Sequence, residues 1–383
     1  MKVIEVHILQ NVAPANLNRD DTGSPKSAMF GGYRRARVSS QSQKRAVREA
    51  FKGLLPQDNL ATRTKKLLGE LVGRLVERGV AEPQAEGVAQ VLLEGVGLGV
   101  KNKATEYLLF IGNQEIDRIA EVAHDHLEEL LELVGQDAEE ESGRKKKEAA
   151  KAKLPAEVKK ELEKVFDGGK AVDLALFGRM LADRPEWNVD AASQVAHAIS
   201  THKVDREFDF YTAVDDLNPK EETGAGMMGD VEYYSATLYR YANVNLEKLV
   251  ENLHGDKELA AEGIRAFLRA FVETLPSGKQ NTFAAHNPPD FVAIFVRDGA
   301  PRNLANAFVN PVWRSKTDLV SASVEALDSY ASKVESVYGD TRASAYYLNL
   351  SAASPENVGE AADGLNEAIE STMLHVEEWL EAM

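Results

Sequence analysis

The sequence predicts an α+β fold, in which an antiparallel sheet of ferredoxin-like type is backed by helices and interrupted by a large helical insertion. Three observations lead there. Segments rich in β-branched residues stand near both ends of the chain, with helical stretches between them. Their strand and helix order fits a small antiparallel sheet with helices on it. From about Pro56 to Asp167 strand-like alternation gives way to Leu, Ala, Glu, Lys and Arg at helical spacing. At 383 residues the chain also exceeds what one core usually holds, so two substructures or an inserted domain are expected.

Taken in order, "KVIEVHIL" (Lys2 to Leu9) alternates as a strand does, and a polar loop is expected from Asn11 to about Lys26. "RRARV" reads as a short strand running into a helix. Within the insertion, Leu67, Leu71, Leu75 and Val76 form one apolar stripe. Ile116, Ile119, Ala120, Ala123, Leu127, Leu130 and Leu131 form another. Its acidic-then-basic run, Asp137 to Lys153, reads as a solvated helix face or connector, with Arg144 to Lys147 able to contact nucleic acid. Strand texture returns at "VDLALF" (Val172 to Phe177), "VAHAIST" (Val195 to Thr201), "YYSATLYRYANV" (Tyr233 to Val244) and "DFVAIFVRD" (Asp290 to Asp298). A helix is expected over about Lys257 to Leu275. Residues 202–230 mix aromatics, Pro, Gly and charge without a period, and a long excursion of that sort in a compact domain is usually functional or disordered. "SPE" at Ser354 reads as the start of a C-terminal helix with Leu365, Ile369, Met373, Val376 and Leu380 on one face. From Pro355 onward there are eight Asp or Glu and no Lys or Arg, a surface phosphates avoid.

Composition narrows the function classes. A 44 % hydrophobic, 28 % charged chain with no bilayer-length apolar run and no evident secretory leader is expected to be a cytoplasmic globular protein with no membrane partner. The absence of cysteine excludes disulfides, thiolate metal sites and a cysteine nucleophile. A net charge of −16 opposes indiscriminate binding to polyanions. Yet from Arg19 to Arg48 there are eight Lys or Arg against two Asp. A local phosphate mostly feels charges within a Debye length, about 8 Å at physiological salt.

That basic stretch has a usable geometry. Ser39 or Ser40 can cap a helix, and Ser40 with Gln43 matches a capping box. At 100° per residue, Gln41, Lys44, Arg45 and Arg48 share one face. Ala46, Val47, Ala50, Phe51 and Leu54 lie opposite, as a buried face. Unsatisfied amides at the helix start favour a phosphate, and hydroxyl and amide side chains can position a sugar–phosphate chain without reading bases. An ordinary amphipathic surface helix accounts for Lys44 and Arg48. It does not account for Lys26, Arg34, Arg35 and Arg37 crowding just before it, so a nucleic-acid backbone groove is the favoured reading.

Other chemistry is sparse. "HDH" at His124 to His126 puts its histidines on different sides of a helix, so no metal site is expected. Asp20 and Asp21 could hold a divalent ion or polarise a hydroxyl, but Asx turns or ion pairs with nearby arginines are the simpler reading. There is no phosphate-binding P-loop or nucleophile elbow, and "GAGMMG" lacks the strand–helix context of a dinucleotide site. No cofactor is expected.

With these residues in view, the chain resembles the CasC family, the repeated backbone subunit of the type I-E CRISPR surveillance complex, Cascade. The resemblance is carried by "LNRDD" (Leu17 to Asp21), "FGGYRRARVSSQSQKRAVR" (Phe30 to Arg48), "LFGRM" (Leu176 to Met180) and "AHAISTHKVD" (Ala196 to Asp205). "DFYTAVDDL" (Asp209 to Leu217), "YRYANVNL" (Tyr239 to Leu246) and "NTFAAHNPPD" (Asn281 to Asp290) continue it. Phe210-Tyr211 stands where a Trp-Phe pair also occurs. The helical segment and the tail look generic.

The resemblance implies a hand: an RNA-recognition-type palm from residues 1–55, 171–201 and 231–350, helical fingers from 56–170 and a thumb from 202–230. An acidic helical segment, 351–383, completes the chain. It further implies a non-catalytic subunit that assembles head-to-tail with its own copies along CRISPR guide RNA, beside other Cascade subunits. Bases would be displaced at intervals, leaving the rest to pair with target DNA. Arg19, Lys26, Ser39, Gln41, Lys44 and Arg48 would grip the guide backbone, with Arg45 on the same helix face. Met180 would lie against the RNA. Phe210, Val214 and Met228 would form an apolar wedge at the displaced base. The alternative is a metal-dependent RNA-cleaving subunit using Asp20 or Asp21, as in related type III complexes.

Overall fold

A computed structural model describes residues 1–136, 154–182, 184–213, 227–313, 317–339 and 342–383. In chain order its strands are β1 (Lys2–Ala15), β2 (Ser27–Phe30), β3 (Tyr33–Val38), β4 (Ala61–Thr64), β5 (Val100–Lys101), β6 (Ala104–Thr105) and β7 (Leu109–Gly112). These are followed by β8 (Ser193–Val195), β9 (Ala198–Ser200), β10 (Glu207–Ala213), β11 (Met227–Asn245), β12 (Phe291–Asp298), β13 (Arg342–Asn349) and β14 (Glu360–Ala361). The chain divides into a first unit of Met1–Phe51, Ser193–Glu247 and Ile264–Met383 and a second of Lys52–Ala192 and Lys248–Gly263.

In the first unit one large sheet runs in the order β14-β13-β12-β1-β11-β9-β3-β2, with β8 and β10 also pairing with β11. The fold is the expected α+β, but the sheet is larger than the small one anticipated, and its β13–β14 pair is parallel. Strand β1 sits between β11 and β12, with Val6 opposite both Ala242 and Ile294. Val3 through Gln10 are all buried, so both faces of β1 are covered.

The two faces differ in chemistry. On one, Leu9 joins Phe291 and Phe295 against Val324 and Leu327 of the helix Leu319–Tyr338. Glu5 and His7, the polar positions of the alternation, lie on this face too and face protein. Glu5 accepts from Arg297 Nε at 2.8 Å and from the Tyr241 hydroxyl at 2.8 Å. His7 Nδ1 lies 2.9 Å from the Tyr239 hydroxyl. Burial, reinforced by Arg297 and Arg342, pushes the His7 imidazole down to about 3, so it is neutral at physiological pH.

Four elements differ from expectation. The strand from Lys2 continues to Ala15, because a bulge between Val12 and Ala15 carries Pro14 past the β11 ladder where the loop was expected to begin. "VAHAIST" is two short strands, β8 and β9, on either side of Ala196 and His197. "VDLALF" is a helix, Val172–Phe177, closed by Gly178 at φ 77°. Its buried Asp173 carboxylate accepts from Ala61 N at 2.7 Å, and six mostly apolar residues carry no periodicity that separates strand from buried helix. The C-terminal helix begins at Leu365, well after "SPE". It buries Ile369, Met373, Val376 and Leu380 while packing on β12 and β13, and Glu370 pairs with Arg265 at 2.8 Å. Part of the acidity of the tail is thus neutralised within its own unit.

The second unit has its own core. Leu67, Leu71 and Leu75 pack with Ile116, Ile119, Ala120, Ala123 and Leu130, while Leu127 and Leu131 are partly buried against them. Val76 is exposed, because the stripe of helix Leu67–Glu77 has turned away from the core there. Two strand pairs, β4–β7 and β5–β6, also lie here. No strand in them exceeds four residues, too short for an alternation signal. Glu115 is fully buried. It pairs with Arg179 at 2.9 Å and also accepts from the backbone N–H of Gly112 and Gly168. Arg144 to Lys147 lie outside the described residues. Among the described residues no helix is long and apolar enough to cross a membrane.

Candidate nucleic-acid interface

The basic stretch is built by the β2–β3 hairpin and the helix α1 (Ser40–Phe51). Gly31 and Gly32 turn the hairpin at φ 59° and 83°, and a Cβ on Gly31 would sit 1.9 Å from the Val309 carbonyl oxygen. Only glycine allows that approach. Beyond the turn, the period of two separates neighbouring arginines. Arg34 is exposed. Arg35 is fully buried, with its Nη1 donating to the carbonyls of Ser200 and Thr201 and its Nη2 to those of Phe308 and Val309, at 2.7–3.2 Å. The expectation that Arg34, Arg35 and Arg37 together form a cationic surface is therefore corrected: Arg35 is a structural strut. Arg37 is half-buried, its Nε donating to Ser27 O and its Nη1 lying 3.3 Å from His197 Nδ1.

Ser39 is the buried cap of α1, held by Asn18 Oδ1 and approached by the Ser42 N–H at 3.4 Å. The Ser40–Gln43 capping box does not form. Gln43 is instead buried on the inner face with Val47 and Phe51, donating to Ala196 O at 2.9 Å and accepting from Arg240 Nε. Leu54, expected with that inner face, lies beyond the helix and is exposed. On the outer side Gln41 and Arg45 are exposed, and Lys44 and Arg48 are half-buried. Burial shifts the Lys44 ammonium below the usual lysine range.

At the start of α1 the Ser40 N–H donates to His197 Nδ1 at 3.3 Å. Burial and the charges of Arg37 and Lys26 lower the pKa of this imidazole. Lys26, Arg37, His197 and the open end of α1 are thus neighbours. His197 was not singled out from the sequence, where nothing distinguishes it from any other strand-edge histidine.

On the flank of α1 lies an open groove of about 1030 Å³ whose lining includes Asn18, Arg19, Asp20, Ser42, Arg45 and Lys279. It brings together Arg19 and Arg45 of the sequence-derived set; Lys26, Ser39, Gln41, Lys44 and Arg48 are not in its lining. Asp20 is committed to its own turn: Oδ1 accepts from the Thr22 hydroxyl at 2.7 Å and from the N–H groups of Thr22 and Ser24 at 3.0 Å. These bonds, the Thr22 hydroxyl foremost, hold its carboxyl below the usual range. Asp21 is exposed beside it. A second, more apolar cavity of about 600 Å³, lined in part by Gln10, Pro288, Leu350 and Leu365, contains none of the candidate RNA-binding residues.

The excursion after Thr201 is a β-hairpin where its residues are described. Residues 207–213 of β10 pair with 227–233 of β11, Phe210 opposite Asp230 and Thr212 opposite Met228. The alternation places Phe208, Phe210 and Met228 on one face. They are 64 %, 65 % and 67 % exposed, which removes them from any core of this chain. Phe208 carries no sequence signal of its own, because it stands among Phe210 and Tyr211 in a segment without a period. Val214 lies outside the described residues. Met180, in the second unit, follows the buried Arg179 and is 86 % exposed.

These features define a mixed α+β chain with an exposed cationic helix and an apolar hairpin. The model of the CT1975-like protein family matches residues 4–374, and the chain belongs to that family. The resemblance to CasC drawn from its motifs is borne out. Among solved structures, a chain of a "CRISPR RNA-guided surveillance complex, pre-nicking" is 34 % identical, with a TM-score of 0.83, over 98 % of this chain and 100 % of that one. A chain of a "CRISPR RNA-guided surveillance complex" is 30 % identical, with a TM-score of 0.74, over 97 % and 99 %. No curated protein matches.

Proposed function

We propose that this chain is a non-catalytic backbone subunit of a CRISPR surveillance complex, binding guide RNA and stacking head-to-tail with its own copies. The observation that carries the reading is the full-length likeness to two chains of RNA-guided surveillance complexes. The local chemistry suits it. The exposed side of α1 and the neighbouring groove offer donors to a sugar–phosphate backbone while leaving base edges to the target DNA. Exposed Phe208, Phe210 and Met228 suit contact with a displaced base, because stacking tolerates any base and contributes about 1–3 kcal/mol.

The test is to express the full chain with a CRISPR transcript and ask whether it carries RNA of defined length. Phe210→Ser with Met228→Ser should leave the melting temperature of the RNA-free chain unchanged but shorten or abolish nuclease-protected RNA. Copurification without RNA sinks the proposal. So does magnesium-dependent cleavage of a complementary RNA that Asp20→Ala or Asp21→Ala removes, since that assigns the chain a catalytic role.

A further inference from the structure

The groove beside α1 is also lined by the segment Glu273 to Lys279, more than 200 residues further along the chain. We propose that Lys279 is a phosphodiester-binding residue, holding the RNA backbone in the groove that it lines together with Arg45 and Arg19. This rests on the reading that the groove binds RNA.

The groove has three cationic side chains, Arg19, Arg45 and Lys279. Among the described residues none of the three has a side-chain hydrogen bond or ion pair. The acids of the lining are differently placed. Asp20 is occupied by Thr22 and Ser24, and Glu273 accepts from Arg269 at 3.2 Å. Glu49, on the α1 wall, is also engaged within the chain. Three cations without a side-chain partner, in a groove whose acids are held by their own turn or helix, suit an anion that spans it. A chain of phosphates has that extent.

The backbone aims Lys279 and holds it there. Lys279 is left-handed at φ 54°, ψ 19°, and Ala284 is left-handed at φ 48°, conformations that disfavour any residue with a Cβ. Next to it, Gly278 packs so closely that a Cβ would lie 2.2 Å from the Leu17 carbonyl oxygen, two residues before Arg19. The segment carrying Lys279 is thereby fixed against the loop that presents Arg19. Strain retained at two non-glycine positions is commonly found where the conformation serves a site.

The conformation also supplies a clean variant. Lys279→Gly removes the charge at a position where glycine is the preferred residue, so folding should be unharmed. Binding of the full-length chain to a guide-length single-stranded RNA is measured across a salt series for wild type, Lys279→Gly, Lys279→Arg and Arg45→Ala, with thermal melting of each. Lys279→Gly should weaken binding roughly tenfold and reduce the log–log salt slope by about 0.7, with Lys279→Arg near wild type. If Arg45→Ala weakens binding and Lys279→Gly does not, the inference about Lys279 is overturned and the groove stands. If neither changes affinity or slope, the groove reading itself fails. Equal weakening by Lys279→Gly and Lys279→Arg also overturns the proposal, because it assigns the effect to loop shape instead of charge.

Discussion

Arginines in the interior and arginines along the α1 groove differ in every respect except their formal charge. Arg35, Arg179, Arg240 and Arg297 are buried, and each is spent on holding backbone or a carboxylate in place. Arg240 is the extreme case, fully buried with Gln10, Gln43 and the carbonyls of Phe271 and Thr274 as partners and its pKa pushed down to about 9. Arg19, Arg34 and Arg45 are exposed, and the groove pair has no side-chain partner among the described residues. The lesson is that a basic cluster counted in sequence is two populations. One, represented in the basic stretch by Arg35, holds backbone and carboxylates inside the fold, and the other is surface available to a polyanion.

The interior population can be broken most severely at its ion pairs. Glu115→Gln leaves Arg179 buried without a counter-charge and should destabilise the chain by about 3–5 kcal/mol in urea unfolding. A loss under about 1 kcal/mol would show that water reaches this arginine, erasing the distinction.

A smaller effect is expected from pH. The pKa of His7 lies far below its ordinary value of 6.5 because it is buried beside Arg297 and Arg342. Above 6.5 both folded and unfolded chains keep it neutral. Below 6.5 the unfolded chain takes up a proton that the folded one refuses, so stability falls as pH drops toward about 3. The slope from this site is about 1.4 kcal/mol per pH unit. Unfolding of His7→Gln measured over the same range should show that component removed; an unaltered slope would assign the acid sensitivity elsewhere.

The sharpest comparison is between adjacent residues. Arg35→Leu strands four carbonyls and should cost about 2 kcal/mol or more, whereas Arg34→Ala should stay within ~0.5 kcal/mol. Similar losses for the two would mean that the hairpin is packed on both faces.

Much of this was legible in sequence where a period or a turn residue acts locally. The strands at Lys2, Arg34, Tyr233 and Phe291, the helix from Lys257 and the amphipathic α1 follow from alternation, β-branching and helical spacing. The segment Val172–Phe177 reads as a strand in sequence because an apolar run has no period, and the strands at 207–213 and 227–233 are not separately legible because each depends on pairing with the other. Of the candidate site, Arg19 and Arg45 share one groove, while Lys279 and His197 come from distant segments that carry no local signal.

By itself, then, the sequence determined the α+β class, the family through its dispersed motifs, and a cationic stretch ending in a capped helix. These depend on residues close in the chain. Only the tertiary structure decided which arginines are struts and which face solvent, that Asp20 is tied into its turn, and that Lys279 lines the same groove as Arg45. Each of those depends on burial and on contacts between segments far apart in the chain, and neither is encoded in local spacing.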